Sequence, residues 1–335
     1  MSGIIGHTMY AVLAADKLLA GHPSVAAMLK RQWSSYLCGA YLGCDIQTLP
    51  EAVCVDTGEE VGYGTVPLTK SPLTGGEVKP WVLKHEGREY RPRDIHKRFY
   101  GRAHLVFGWN VADRKHTVPW DHLGDYAALT FQDANELYPA GESKLAYLFG
   151  WLVHIVGDSL VKSVQPGLKM KLLDGLYTPR NRPVQDLVTY HEIGRKELGL
   201  DWPELLSDVA ATRVEPVQLH AMRVTRPRGA LAASFTNAWS WADEELMTLV
   251  CQENRRYLKT YVERLLPTYE LTRVGAEWKC DAELSRRTGG LQYSEMVHAA
   301  QQAGLRDTLN QIADEAVSLF DQVISRVPAL AGKNR

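Results

Sequence analysis

Little in this sequence supports a crosslinked or strongly charged protein. Its 335 residues hold five cysteines, Cys38, Cys44, Cys54, Cys251 and Cys280, an odd number with no Cys-x-x-Cys pair. That argues against a disulfide scaffold and against a thiolate zinc site, and reduced thiols in a cytoplasmic protein are the simplest account. Charge is nearly balanced, with 38 Lys and Arg against 39 Asp and Glu and a net charge of −1. No global basic field favours a nucleic acid or an anionic membrane as partner. No uncharged apolar run reaches the roughly 18 residues of a membrane span, so no transmembrane helix is expected. The opening "MSGIIGHTMYAVLAADKLLA" lacks the basic region and the unbroken apolar run of a signal peptide, because His7, Asp16 and Lys17 interrupt it. βαβ alternation, internal repeats and low-complexity tracts are also missing.

What is present is helical. Apolar residues make up 45% of the chain and charged residues 23%, an ordinary globular balance. Apolar positions at helical spacing (Met9, Val12, Leu13, Leu18, Leu19) predict a helix over 7–20, ended by "GHPS". A second amphipathic helix is expected over 24–42. Residues 46–120 look different: they are rich in Gly, Pro and Thr, and only "WVLKHEGREYRP" suggests a short hairpin. Helices resume at 121–138, with Asp121 as a plausible N-cap, and at 142–164. "VQDLVTYHEIGRKELGL" and "DWPELLSDVAATRV" are further helices, the latter with Pro203 in its first turn. A long helix, kinked or not, follows from about 228, and the last strong one spans 305–326. The expected class is all-α, a multi-helix bundle with a long irregular insertion at about 46–120. Residues 1–215 form one helical unit, and the C-terminal helices of 216–335 pack on it.

The stretch "AYLFGWLVHIVGDSL", residues 146–160, carries His154 and Asp158 on one face of an apolar helix. A histidine and a carboxylate on such a helix are costly unless something uses them. A hydrogen-bonded core pair is the plain account. A metal held by N and O ligands is the functional one. His7 in the first helix and Asp45 in "GAYLGCDIQ" are each weak signals alone; Asp45 reads equally as a turn residue.

Together, "GIIGHTMYAVLAADKLL", "YLCGAYLGCDI" and "AYLFGWLVHIVGDSL" resemble the three signature segments of the zinc-dependent phospholipase C family, which shares its fold with single-strand-specific zinc nucleases. Gly39, Ala40, Asp45 and Ile46 match one segment, with Cys44 where the family has proline. Gly150, His154 and Asp158 match the central helix. The resemblance covers roughly residues 2–195 and implies an all-α bundle with up to three zinc ions in a cleft. In the family, a terminal amino group lies five residues before the first histidine and binds metal. Here that position is Ser2, exposed if Met1 is removed.

The pattern departs from the family later. Gln165-Pro166 comes late, and Leu168 stands where a ligand histidine is expected. The following His/acid pair has only His191, Glu192 and Asp186 as candidates. A loop histidine must come from His85, His96, His104, His116 or His122; His122 is preferred and His104 is second. The resemblance thus implies two zinc ions, with one or three as alternatives. Ser2, His7 and Asp158 would serve one ion. Asp45, the loop histidine, His154 and Asp158 would serve the other, with Asp158 bridging and Asp45 or Glu192 orienting water. The implied reaction is hydrolysis of a phosphodiester, from a small molecule or a lipid head group, by a metal-activated hydroxide. Two other readings stay open: a helical scaffold with a structural or degenerate metal site, and a metal-dependent hydrolase or lyase acting on a non-phosphate substrate. Trp109, Trp120 and Tyr126 could line a base-stacking pocket, while core packing is the plainer account of Trp151, Trp239 and Trp241; the basic run 91–102 could meet phosphate, although a solvated loop is the plainer account. Oligomeric state is not legible.

Overall fold

A computed structural model describes residues 3–42, 52–56, 60–61, 70, 76–92, 94–95, 118, 120–137, 141–161, 181–213 and 241–331. Helices dominate, so the class is all-α as the periodicity predicts. Helix α1 (Ile4–Gly21) is apolar almost throughout, and it is buried from Ile4 to Ala15. It ends where His22 turns its N–H onto the Leu18 carbonyl and Pro23 opens α2 (Pro23–Arg31). The single helix expected over 24–42 is two: the backbone breaks at Gln32 (φ −112°, ψ 37°) before α3 (Trp33–Leu42).

In the 46–120 region the described pieces are short strands. β1 (Ala52–Cys54) pairs antiparallel with both β2 (Glu60–Val61) and β3 (Val78–Pro80), which flank it. The anticipated hairpin is present as β4 (Leu83–His85) and β5 (Arg88–Tyr90). A 3-10 turn at Trp120–His122 leads into α4 (Leu123–Leu137). Asp121 therefore sits inside that turn, not at the cap assigned to it from sequence.

Helix α5 (Ser143–Val161) is the strut of the molecule. Every residue from Lys144 to Val161 is buried, because α1, α3, α4 and the C-terminal helix surround it. By length and mean hydropathy, 1.2, α5 could cross a membrane, yet all of it lies inside the protein. Lys144, His154 and Asp158 interrupt it, so it is not an uncharged run of that length.

Next come α6 (Asn181–Val188), a π-helix at Thr189–Glu197, and α7 (Trp202–Ala211). Asp201 caps α7 by accepting the Glu204 N–H at 3.1 Å, and Pro203 sits in its first turn. Helix α8 (Trp241–Thr260) passes into a π segment, Tyr261–Leu265, and a 3-10 turn, Leu266–Tyr269. The hairpin of β6 (Thr272–Val274) and β7 (Glu277–Lys279) was not anticipated. Helices α9 (Ala282–Arg287), α10 (Tyr293–Gln302), α11 (Leu305–Arg326) and α12 (Pro328–Ala331) complete the order.

Helix α11 is amphipathic and lays Leu309, Ile312, Ala316, Phe320 and Val323 inward. It packs on α1, α4 and α5. At the junction Phe149 stands edge-on to both Phe131 and Phe320, with ring centroids 4.8 Å apart in each pair. One continuous buried core therefore holds residues from Ile4 to Leu330. Each fully buried large apolar side chain contributes roughly 1.5–3 kcal/mol. That apolar mass lets α5 carry a carboxylate and an imidazole at its centre.

Candidate metal centre

The site begins with two glycines. A Cβ on Gly39 of α3 would stand 2.0 Å from the Tyr147 carbonyl oxygen, and one on Gly150 of α5 would stand 1.9 Å from the Tyr36 carbonyl oxygen. No side chain fits at either position, so α3 and α5 cross with their backbones in contact. The crossing brings the Ala40 carbonyl oxygen to within 2.8 Å of His154 Nδ1. A carbonyl only accepts, so Nδ1 carries the hydrogen and donates it. In the neutral ring the lone pair then sits on Nε2. An outer hydrogen bond of this kind orients a metal-ligating histidine.

Helix α1 closes the site from the other side. Tyr36 of α3 donates its hydroxyl to the Ala11 carbonyl at 2.9 Å. Gly157 of α5 lets the Tyr10 ring in so closely that a Cβ there would meet the ring at 2.6 Å. These contacts set His7, in the first turn of α1, against α5. Its ring stacks on His154 with centroids 4.0 Å apart and planes within 4°, and it meets the Tyr10 ring edge-on.

Both rings address Asp158. His7 Nε2 lies 3.3 Å from Oδ1, and His154 Nε2 lies 3.8 Å from Oδ2. All three side chains are only 1% exposed. A charge-assisted hydrogen bond would be shorter, about 2.7–2.9 Å. Donors that share a zinc ion at about 2.0–2.2 Å stand roughly 3–4 Å from one another. Ligand atoms of His7, His154 and Asp158 all lie within 4.8 Å of each other, and the three residues form a group that can hold a metal ion. Two neutral imidazoles and one carboxylate carry one negative charge, and a buried charge of that kind is stabilised by a cation. The N, N, O donor set suits zinc and similar divalent ions.

Among the described residues, the other sequence candidates do not join this group. His122, the preferred loop histidine, is at the surface in the 3-10 turn, with Nδ1 3.5 Å from Asp125 Oδ2. Its nearness to α5 in sequence is not nearness in space, because α4 intervenes. His191 and Glu192 belong to the π-helix. His191 donates Nε2–H to the Tyr269 carbonyl at 2.7 Å, and burial pushes its pKa below the ordinary value. Glu192 accepts from the Tyr293 hydroxyl at 3.1 Å and pairs with Lys196 at 3.0 Å. Arg195 on the same segment grips Glu270 with two hydrogen bonds of 2.6 and 2.7 Å. This network ties the π-helix to the turn at Leu266–Tyr269 and to α10, so His191 and Glu192 serve packing here. Asp186 is buried beside the Tyr269 hydroxyl at 3.5 Å. Tyr126 and Trp151 are fully buried core rings, which removes Tyr126 from any base-stacking pocket. Ser2, Asp45, His96, His104, His116, Trp109 and most of the basic run 91–102 lie outside the described residues.

Sequence reasoning picked out all three clustered residues. It missed the helix-to-carbonyl bond from Ala40, whose only trace was the Gly-Ala pair at 39–40. No protein-family profile, curated protein or solved structure matches this chain.

Proposed function

We propose that the chain is a zinc-dependent hydrolase of phosphate esters, a phospholipase C-like phosphodiesterase. One observation carries this reading: His7, His154 and Asp158 converge in a buried N, N, O set, with the His154 tautomer fixed by Ala40. The three residues fall in the same segments, and in the same order, as the ligands of the family the sequence resembles. Zinc held there supplies a water of lowered pKa and positive charge at the phosphoryl oxygens.

The chain's own residues have distinct tasks in this scheme. Asp158 offers one oxygen toward each histidine and would be shared between the ions if two were bound. His154 is the fixed ligand, because its Nδ1–H is committed to Ala40. His7 is the second imidazole ligand, held on the first turn of α1 by its stack on His154. Asp45 follows Ala40 by five residues in sequence, and Ser2 precedes His7 by five. Both are assigned to the remainder of the shell, with Asp45 also orienting the attacking water. The substrate is a soluble phosphodiester or a lipid head group.

Metal analysis of the purified protein should give about two zinc per chain. A panel of bis-p-nitrophenyl phosphate, phosphatidylcholine and single-stranded DNA should show zinc-dependent hydrolysis of at least one member, abolished by Asp158→Asn. Zinc retained with no turnover of any member would point instead to a structural metal in a helical scaffold. A protein with no metal affinity would overturn the proposal.

A further inference from the structure

Away from the buried centre, a second group of ligating side chains stands where the β4–β5 hairpin meets α8. Ligand atoms of His85, Glu86 and Glu245 lie within 4.8 Å of one another. They come from two segments that are distant in sequence, and the sequence had offered only His85, as a competitor for the other site.

The hairpin is built in an unusual way. His85 pairs with Arg88, leaving Glu86 and Gly87 as a two-residue turn. Both have positive φ, 47° and 71°, and Glu86 is the one non-glycine residue with positive φ among those described. Turns of this form favour Asn, Asp or Gly at the first position. A glutamate held there aims its carboxylate back beside His85. His85 is largely buried (side chain 12% exposed), and its Nε2 is shut away from solvent without a hydrogen bond. That nitrogen faces Glu245 Oε2 at 3.7 Å, too long for a hydrogen bond and close to the spacing of two donors on one ion. Lys84, on the opposite face, is already paired with Glu89. Arg88 is exposed and makes no ion pair among the described residues. One imidazole and two carboxylates therefore meet where the hairpin reaches α8.

We propose that His85, Glu86 and Glu245 form a second divalent-cation site, for zinc or manganese, that pins the hairpin to α8. One nitrogen and two carboxylate oxygens suit such ions, and water completes the shell at this partly open position. The site is structural: the bound ion joins two segments that are far apart in sequence, and it stabilises the fold by mass action. It is independent of the hydrolase reading and stands or falls separately.

The test uses the full chain, stripped with chelator and titrated with zinc or manganese chloride. Hydrogen exchange of the amides at 83–90 and 245–250 is followed. Wild type should gain protection in both segments as metal is added and should bind one more equivalent than Glu245→Gln. In Glu245→Gln the protection at the hairpin should require at least tenfold more metal. Glu86→Gly relieves the left-handed backbone and removes a ligand together. It should fold as well as wild type without metal and show no metal-dependent protection of the hairpin. Equal stoichiometry and equal hairpin protection in wild type, Glu245→Gln and Glu86→Gly would overturn the proposal, whatever happens at His154 and Asp158.

Discussion

His154 on α5 reaches across to the Ala40 carbonyl on α3 at 2.8 Å, and this distance exists only because Gly39 and Gly150 let the two helices touch. The nitrogen of His154 that faces Asp158 is thus positioned by two residues that have no side chain.

Gly150→Ala should therefore damage the site from a distance. The new methyl would fall 1.9 Å from the Tyr36 carbonyl oxygen and 2.8 Å from Ala40 N, both backbone atoms. The helices must part, at an expected cost of about 1–3 kcal/mol or more by urea denaturation, with a drop in metal affinity. Gly21→Ala, which has open space around it, should leave both unchanged. If Gly150→Ala keeps full metal affinity and stability, the crossing does not set the site.

Asp158→Asn keeps the shape of the side chain but removes the charge. Metal affinity should fall by about tenfold or more, a loss at least as large as those seen when outer-shell partners are removed. The metal-free protein should be no less stable than wild type, since an ionised carboxylate has left the core. Isothermal titration and thermal melts in chelator separate the two effects. Should His154→Ala and Asp158→Ala both retain wild-type metal content, the cluster is not a metal site.

The Glu270–Arg195 pair gives a pH signature. Hydrogen bonds from Arg195 hold the Glu270 carboxyl below its usual value of 4.5. A lowered carboxylate pKa stabilises the fold above the unfolded value and loses that contribution as pH falls through the folded one. Glu270 is about half exposed, so screening limits the pair to about 1 kcal/mol or less. Glu270→Gln should lose this amount at pH 7 and match wild type near pH 2–3 in urea titrations.

His191 acts in the same direction at higher pH. Burial is the main cause that lowers its pKa below 6.5. The unfolded chain therefore takes up this proton before the folded one does. The stability tied to His191 is complete above pH 6.5 and is lost as pH falls below it. In NMR titrations its ring protons should turn over below pH 6.5. A midpoint above 6.5 would contradict its burial against Tyr269.

How much of this was legible depended on whether the signal was local. Helix α11 was found residue for residue, because Leu305, Leu309, Ile312, Ala316 and Phe320 repeat at helical spacing. The break at Gln32 was not, because neither proline nor glycine marks it. The hairpin at 272–279 turns on Gly275, with φ 65°, and one glycine between Val274 and Ala276 is a weak turn signal. A π-helix has no sequence period of its own, so the segment with His191 and Glu192 read as an ordinary amphipathic helix.

At the site, His7, His154 and Asp158 were legible because polar groups on apolar helices stand out. His122 misled because it lies close to α5 along the chain, and a short distance in sequence says little once a fifteen-residue helix intervenes. The Glu86 turn was equally hidden: nothing in "HEG" says that the glutamate takes the left-handed conformation.

The packing of α11 on α1 has a consequence for how the protein is made. Lys17 bonds Asp314 and His22 bonds Asp321, each across nearly the whole chain. During synthesis α1 leaves the ribosome long before its covering helix does. Its apolar face, with His7 on it, must stay unsealed for most of translation, since these far-apart partners close last and slowly. The nascent chain is therefore most vulnerable to aggregation while it waits.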